Sequence, residues 1–198
     1  MLEWDPQASP RLAALVCHPH PVHGGTMHNK VVFRAAKAAL LAGLPVLRFN
    51  FRGVGQSEGK FAEGVGEHGD VLAAIDSLKE RFRGTPICVM GFSFGAWAGL
   101  EAGGPHPDVH ALAGLGLPAG SLDFGFLRSV RKLKILIQGT NDVFAPRAQV
   151  ESLYAAMPEP KQIHWVQGAD HFFTGRLEDV QSTLQEFLRE VLTKDFEK

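Results

Sequence analysis

The chain has 198 residues, 45% of them hydrophobic and 21% charged, with a formal net charge of −1 at pH 7. That length buries one core comfortably and not two, and the balance removes the electrostatic case for nucleic acid or an anionic membrane as partner. No apolar run reaches membrane-spanning length, and the opening Met-Leu-Glu-Trp-Asp-Pro carries neither a basic nor an apolar leader segment. The expectation is a single cytoplasmic domain over residues 1–198.

Short apolar runs alternate with helix-compatible stretches, the pattern of a mostly parallel sheet of six to seven strands with helices on both faces. In chain order the predicted elements are strand 12–18, helix 29–42 stopped by Gly43, strand 45–50, helix 67–83, strand 86–90, helix 94–102, strand 111–117, strand 134–138, helix 147–156, strand 162–166 and helix 177–194. Residues 118–132 are the one irregular connection of any length, which leaves no room for a lid domain. Cys17 and Cys88 fall inside predicted buried strands. They read as reduced core thiols; a disulfide is the alternative if those strands are neighbours.

The third predicted strand runs straight into Gly91-Phe92-Ser93-Phe94-Gly95 and a helix. Strand, G-x-S-x-G, helix is the setting of a nucleophile elbow, where a strained turn lifts the serine hydroxyl out of the sheet. A serine nucleophile needs a base, and the base needs an acid to orient it. Asp142 follows strand 134–138 and His171 follows strand 162–166, as Ser93 follows strand 86–90, so in a parallel sheet all three emerge at one edge. Asp170 is a rival acid, but adjacent side chains diverge, so it reads as loop structure or as support for the histidine.

Between the first strand and first helix lies His18-Pro19-His20-Pro21-Val22-His23-Gly24-Gly25. The spacing of His18, His20 and His23 matches the H-x-H-x-D-H motif of metallo-β-lactamase-like hydrolases, except that Val22 stands in place of the aspartate. The reading adopted is no metal and no cofactor. The stretch is taken instead as an oxyanion loop. The first donor is the Phe94 N–H, one residue past the serine. Pro19 and Pro21 have no N–H, so His20 is the second donor, with His23, Gly24 or Gly25 as fallback. Phe144 and Phe172 adjoin the acid and base and are expected, with Trp97, to contact substrate. No lysine or arginine adjoins the three catalytic candidates, which favours neutral esters over anionic ones.

Taken together, His18-Pro-His-Pro, Gly24-Gly-Thr-Met-His-Asn-Lys, Asn50-Phe-Arg-Gly-Val-Gly-Gln-Ser-Glu-Gly59, the Gly91–Gly95 elbow, Asp142 and Asp170-His171-Phe172-Phe173 resemble a bacterial family. It is the family of small, lidless α/β-hydrolases related to dienelactone hydrolases and carboxylesterases. The resemblance runs from about Leu12 to Leu192. It implies a Ser93–Asp142–His171 triad, hydrolysis of short acyl esters and a small-molecule partner; a homodimer is left open. It also implies that the fold's first strand is missing and that its second is a stub around residues 2–4. Arg52 and Ser57 are expected to hold their loop through backbone hydrogen bonds. A thioesterase or amide hydrolase would use the same residues. A cysteine-type dienelactone hydrolase is disfavoured because the elbow carries serine, and a non-catalytic binding protein because no triad member is lost.

Overall fold

The computed structural model describes residues 1–7 and 9–194. Seven strands form one sheet: β1 (Leu2–Glu3), β2 (Ala13–Cys17), β3 (Val46–Arg48), β4 (Ile87–Phe92), β5 (Val109–Leu115), β6 (Leu133–Gly139) and β7 (Lys161–Val166). Their order is β1-β3-β2-β4-β5-β6-β7. Only β1 runs antiparallel to its neighbour; the other five pairings are parallel. The helices are α1 (Lys30–Leu41), α2 (Val65–Arg81), α3 (Phe94–Gly103), α4 (Arg147–Ala156) and α5 (Leu177–Thr193).

The central strands are mostly apolar because both of their faces are covered; in β6 only Lys134 and Gln138 break the run. All residues of β2, β4 and β6 are buried, as parallel strands between two helical layers require. Alternate residues divide between two cores. Ala14, Val16, Cys88 and Met90 pack with α1 and α5, while Ala13, Leu15, Ile87 and Val89 pack with α2 and α3. The cysteines therefore face opposite sides of the sheet. Both are free thiols, so the disulfide alternative is excluded, and burial pushes the Cys88 thiol up to about 12.

The predicted stub at 2–4 is the edge strand β1, pinned to β3 by a 2.5 Å ion pair between Arg48 and Glu3. Strand β5 begins and ends two residues earlier than its apolar run suggests. Gly116 turns the chain at φ 53°, and the Leu117 N–H leaves the ladder for a side chain, Gln138. The long β5–β6 connection holds only a 3₁₀ turn, Gly125–Arg128. Among the described residues, no helix is long and apolar enough to cross a membrane.

The order reverses at β2: the chain moves outward to β3, then returns to β4 on the other side of β2. Such a switch point opens a crevice beyond the carboxyl ends of the two strands. The loops that leave β2 and β4 there are the histidine-rich loop and the Ser93 turn.

Candidate active site

Ser93 takes φ 56°, ψ −122°, a backbone conformation that costs a side-chain-bearing residue about 1–3 kcal/mol. Three backbone hydrogen bonds hold it there. Its N–H donates to Leu115 O (2.9 Å), and its carbonyl accepts from Ala96 and Trp97 (2.9 and 3.2 Å). The flanking glycines are required by close approach of backbone to backbone. A Cβ on Gly91 would lie 2.2 Å from Gly95 O, and one on Gly95 would lie 2.3 Å from His18 O.

His171 Nε2 lies 2.9 Å from Ser93 Oγ, and His171 Nδ1 lies 2.8 Å from Asp142 Oδ2. The Asp142 side chain is fully buried. Its Oδ1 accepts the Phe144 N–H (2.8 Å) and its Oδ2 also accepts Gln138 Nε2–H (2.6 Å). The loops carrying acid and base are stitched together: Asn141 N–H donates to Ala169 O (2.9 Å) and Gly168 N–H to Thr140 Oγ1 (2.8 Å). Gly139 allows that approach, since a Cβ there would meet Ala169 O at 2.4 Å. Asp170 turns away from the histidine. Its Oδ1 accepts the Phe172 and Thr174 N–H groups (3.0 and 2.9 Å), and these bonds, that of Thr174 foremost, hold the carboxyl below the ordinary range.

The histidine-rich loop does not converge as a metal site, and among the described residues no other group of ligating side chains does. His18 is buried and both its ring nitrogens are engaged: Nδ1 with Pro19 O (2.6 Å), Nε2 with the Phe51 N–H (3.0 Å). A carbonyl can only accept and an amide N–H only donate, so the ring is neutral with its proton on Nδ1. Burial lowers its pKa from 6.5 to about 4. The unfolded chain thus binds this proton first as pH falls. The His18 contribution, about 3 kcal/mol, is complete above pH 6.5 and lost progressively down to pH 4. Urea midpoints measured across that window should fall more steeply for wild type than for His18→Gln; parallel slopes would contradict this.

His20 lies on the next turn. Its carbonyl accepts from His23 and Gly25 N–H (3.1 and 3.0 Å), and its ring stacks on that of His23 at 4.4 Å. Among the described residues, neither the His20 nor the Phe94 N–H donates to an acceptor of the chain. The Asn50–Gly59 turn supports this loop from behind, Asn50 Oδ1 accepting the Met27 N–H (2.8 Å). Ser57 does hold the turn through the backbone, donating to Asn50 O (2.8 Å). Arg52 also holds it, its backbone N–H donating to Asp70 Oδ2 (3.0 Å), and adds a side-chain ion pair with Asp70 (2.8 Å); it does not line the cleft.

Above Ser93 lies a cleft of about 390 Å³, walled by the histidine-rich loop, by Pro118, Ser121 and Leu122, and by Phe94, Phe144 and Phe172. The Phe144 and Phe172 rings stand 4.7 and 5.3 Å from the His171 ring, and both remain about half exposed. Trp97 is a correction to the expected substrate contacts: it is not in the cleft. It sits a turn further along α3 and packs against Phe94, His68 and Gly64, with its indole N–H donating to Asp123 O (3.1 Å). Gln138 is the site residue that sequence reasoning missed.

Sheet, elbow turn and the serine–histidine–aspartate chain together define the class, an α/β hydrolase of the serine type. The chain belongs to the hydrolase family described as serine aminopeptidase, S33, which it matches over residues 20–150. That span contains Ser93 and Asp142 and stops short of His171. The uncharacterized protein RP471 of Rickettsia prowazekii (strain Madrid E) is 36% identical over 185 residues, covering 88% of this chain and 77% of its own. A structure of an α/β serine hydrolase homologue from Coxiella burnetii is 34% identical, with a TM-score of 0.89 over 95% of this chain and 90% of that one. XC6422 from Xanthomonas campestris, described as an α/β serine hydrolase without lid, is 32% identical, with a TM-score of 0.88 over 98% of this chain and 89% of that one.

Proposed function

We propose that this protein hydrolyses short-chain, uncharged carboxylic esters through an acyl-enzyme on Ser93. The observation that carries the reading is the hydrogen-bonded series Ser93–His171–Asp142 at the floor of an open, largely apolar cleft. His171 Nε2 takes the Ser93 proton as Oγ attacks the ester carbonyl. The tetrahedral oxyanion is met by the Phe94 and His20 N–H groups, with the N-terminus of α3 adding its positive end. His171 then protonates the leaving alcohol, and water releases the acid by the same steps in reverse. Asp142 keeps the histidine proton on Nδ1, and neither a metal nor a cofactor has a step. Phe144 and Phe172 hold the acyl or alcohol part.

The composition of the cleft favours esters over the peptides that the family's description suggests. An aminopeptidase must hold a free α-ammonium group, and among the described residues no carboxylate lines the cleft. Among the described residues no lysine or arginine lines it either, which disfavours acyl chains carrying a second carboxylate. A thioester would fit the same walls. A panel of p-nitrophenyl esters checks the proposal: rates should peak between acetate and hexanoate and fall toward palmitate. Aminoacyl p-nitroanilides should be poor substrates. Rates rising steadily to palmitate, or anilides cleaved as fast as esters, would overturn it.

A further inference from the structure

We infer that Gln138 is a positioning residue for Asp142, an assignment that rests on the hydrolase reading above and extends it. Gln138 is fully buried near the end of β6. Its amide cannot be turned around. The Leu117 N–H, a donor only, lies 2.8 Å from Oε1, so oxygen must occupy that side and the NH₂ group the other. That group faces Asp142 Oδ2 at 2.6 Å. It is the same oxygen that faces His171 Nδ1, while Oδ1 takes the Phe144 N–H. The carboxylate therefore meets three donors, two of them on the oxygen that orients the histidine.

Two consequences follow for the reaction. The Gln138 and Phe144 bonds, one at each oxygen, stop the carboxylate from rotating and keep Oδ2 at His171 Nδ1. The Gln138 bond also offsets part of the charge on Oδ2, which weakens the hold of the carboxylate on a protonated imidazole and so favours the neutral ring that can act as base. The far end of the same amide holds Leu117, the residue that leads into Pro118, Ser121 and Leu122 on the cleft wall. One side chain thus ties the acid to the wall. A glutamine serving Leu117 alone would need only its oxygen.

Two variants separate positioning from fold support. Gln138→Glu keeps an acceptor for Leu117 but can donate to Asp142 only while its own carboxyl is protonated, so its activity should acquire an added pH dependence and a narrower profile than wild type. Gln138→Met removes both bonds. It should lower kcat by about 10- to 100-fold with KM within about threefold, and move the acidic limb of the kcat/KM profile to higher pH. Rates are taken per active site titrated with a fluorophosphonate, so loss of folded protein does not count as loss of function; if Gln138→Met fails to fold, Gln138→Glu decides. Wild type that is not titrated would defeat the hydrolase reading itself. Wild type that titrates, with Gln138→Glu matching its kcat and pH profile, would defeat the positioning role alone.

Discussion

Ser93→Ala should abolish ester hydrolysis, lowering kcat by about 10⁴- to 10⁶-fold, while the protein remains folded. The hydroxyl makes one hydrogen bond, to His171 Nε2. The bonds that hold the turn are made by backbone atoms of residue 93 and survive the substitution. Alanine carries the same Cβ through the same strained conformation, so the denaturation midpoint should move by no more than about 1 kcal/mol equivalent. Residual activity above the uncatalysed rate would reflect the oxyanion donors and the cleft, which are untouched. A thermal melt beside a steady-state assay checks both halves of the prediction. A variant that keeps its activity would show that Ser93 is not the nucleophile.

Asp142→Asn should cost about 10⁴-fold in kcat, and the structure gives a specific reason. The Phe144 N–H donates to Oδ1, so an asparagine must put its oxygen there and its NH₂ group where Oδ2 was. That group would then confront two donors, Gln138 Nε2–H and His171 Nδ1–H. The histidine relieves the clash by shifting its proton to Nε2, the nitrogen that faces Ser93. An imidazole protonated there cannot act as base. Steady-state kcat and an NMR assignment of the imidazole tautomer would check this together. An active Asn variant with its proton still on Nδ1 would refute the argument.

Much of this was legible in the chain because the fold imposes a simple rule. In a parallel sheet, residues just past the carboxyl ends of strands share an edge, and Ser93, Asp142 and His171 each follow a clear apolar run. The G-x-S-x-G turn was readable because its glycines answer a steric demand that local sequence expresses. The role of Trp97 was not readable, because it depends on which neighbour a helix face meets; α2 and the Gly64 that precedes it bring His68 and the Gly64 backbone there. His18 looked like a potential ligand until its two hydrogen bonds, to Pro19 and to the distant Phe51, were known. Gln138 left one weak signal, a polar residue closing the apolar run Ile135-Leu136-Ile137 four residues before Asp142. Its partner Leu117 lies 21 residues away, on a connection whose path no periodicity reveals.

In the proposed mechanism Ser93 is an activated nucleophile at the floor of this cleft. The most direct test is to incubate the native protein with a fluorophosphonate and map the adduct by peptide mass spectrometry. The expected result is one phosphonyl group per chain, on the peptide containing Ser93, and none on Ser93→Ala. An unlabelled wild-type protein, or label that persists in Ser93→Ala, would contradict it.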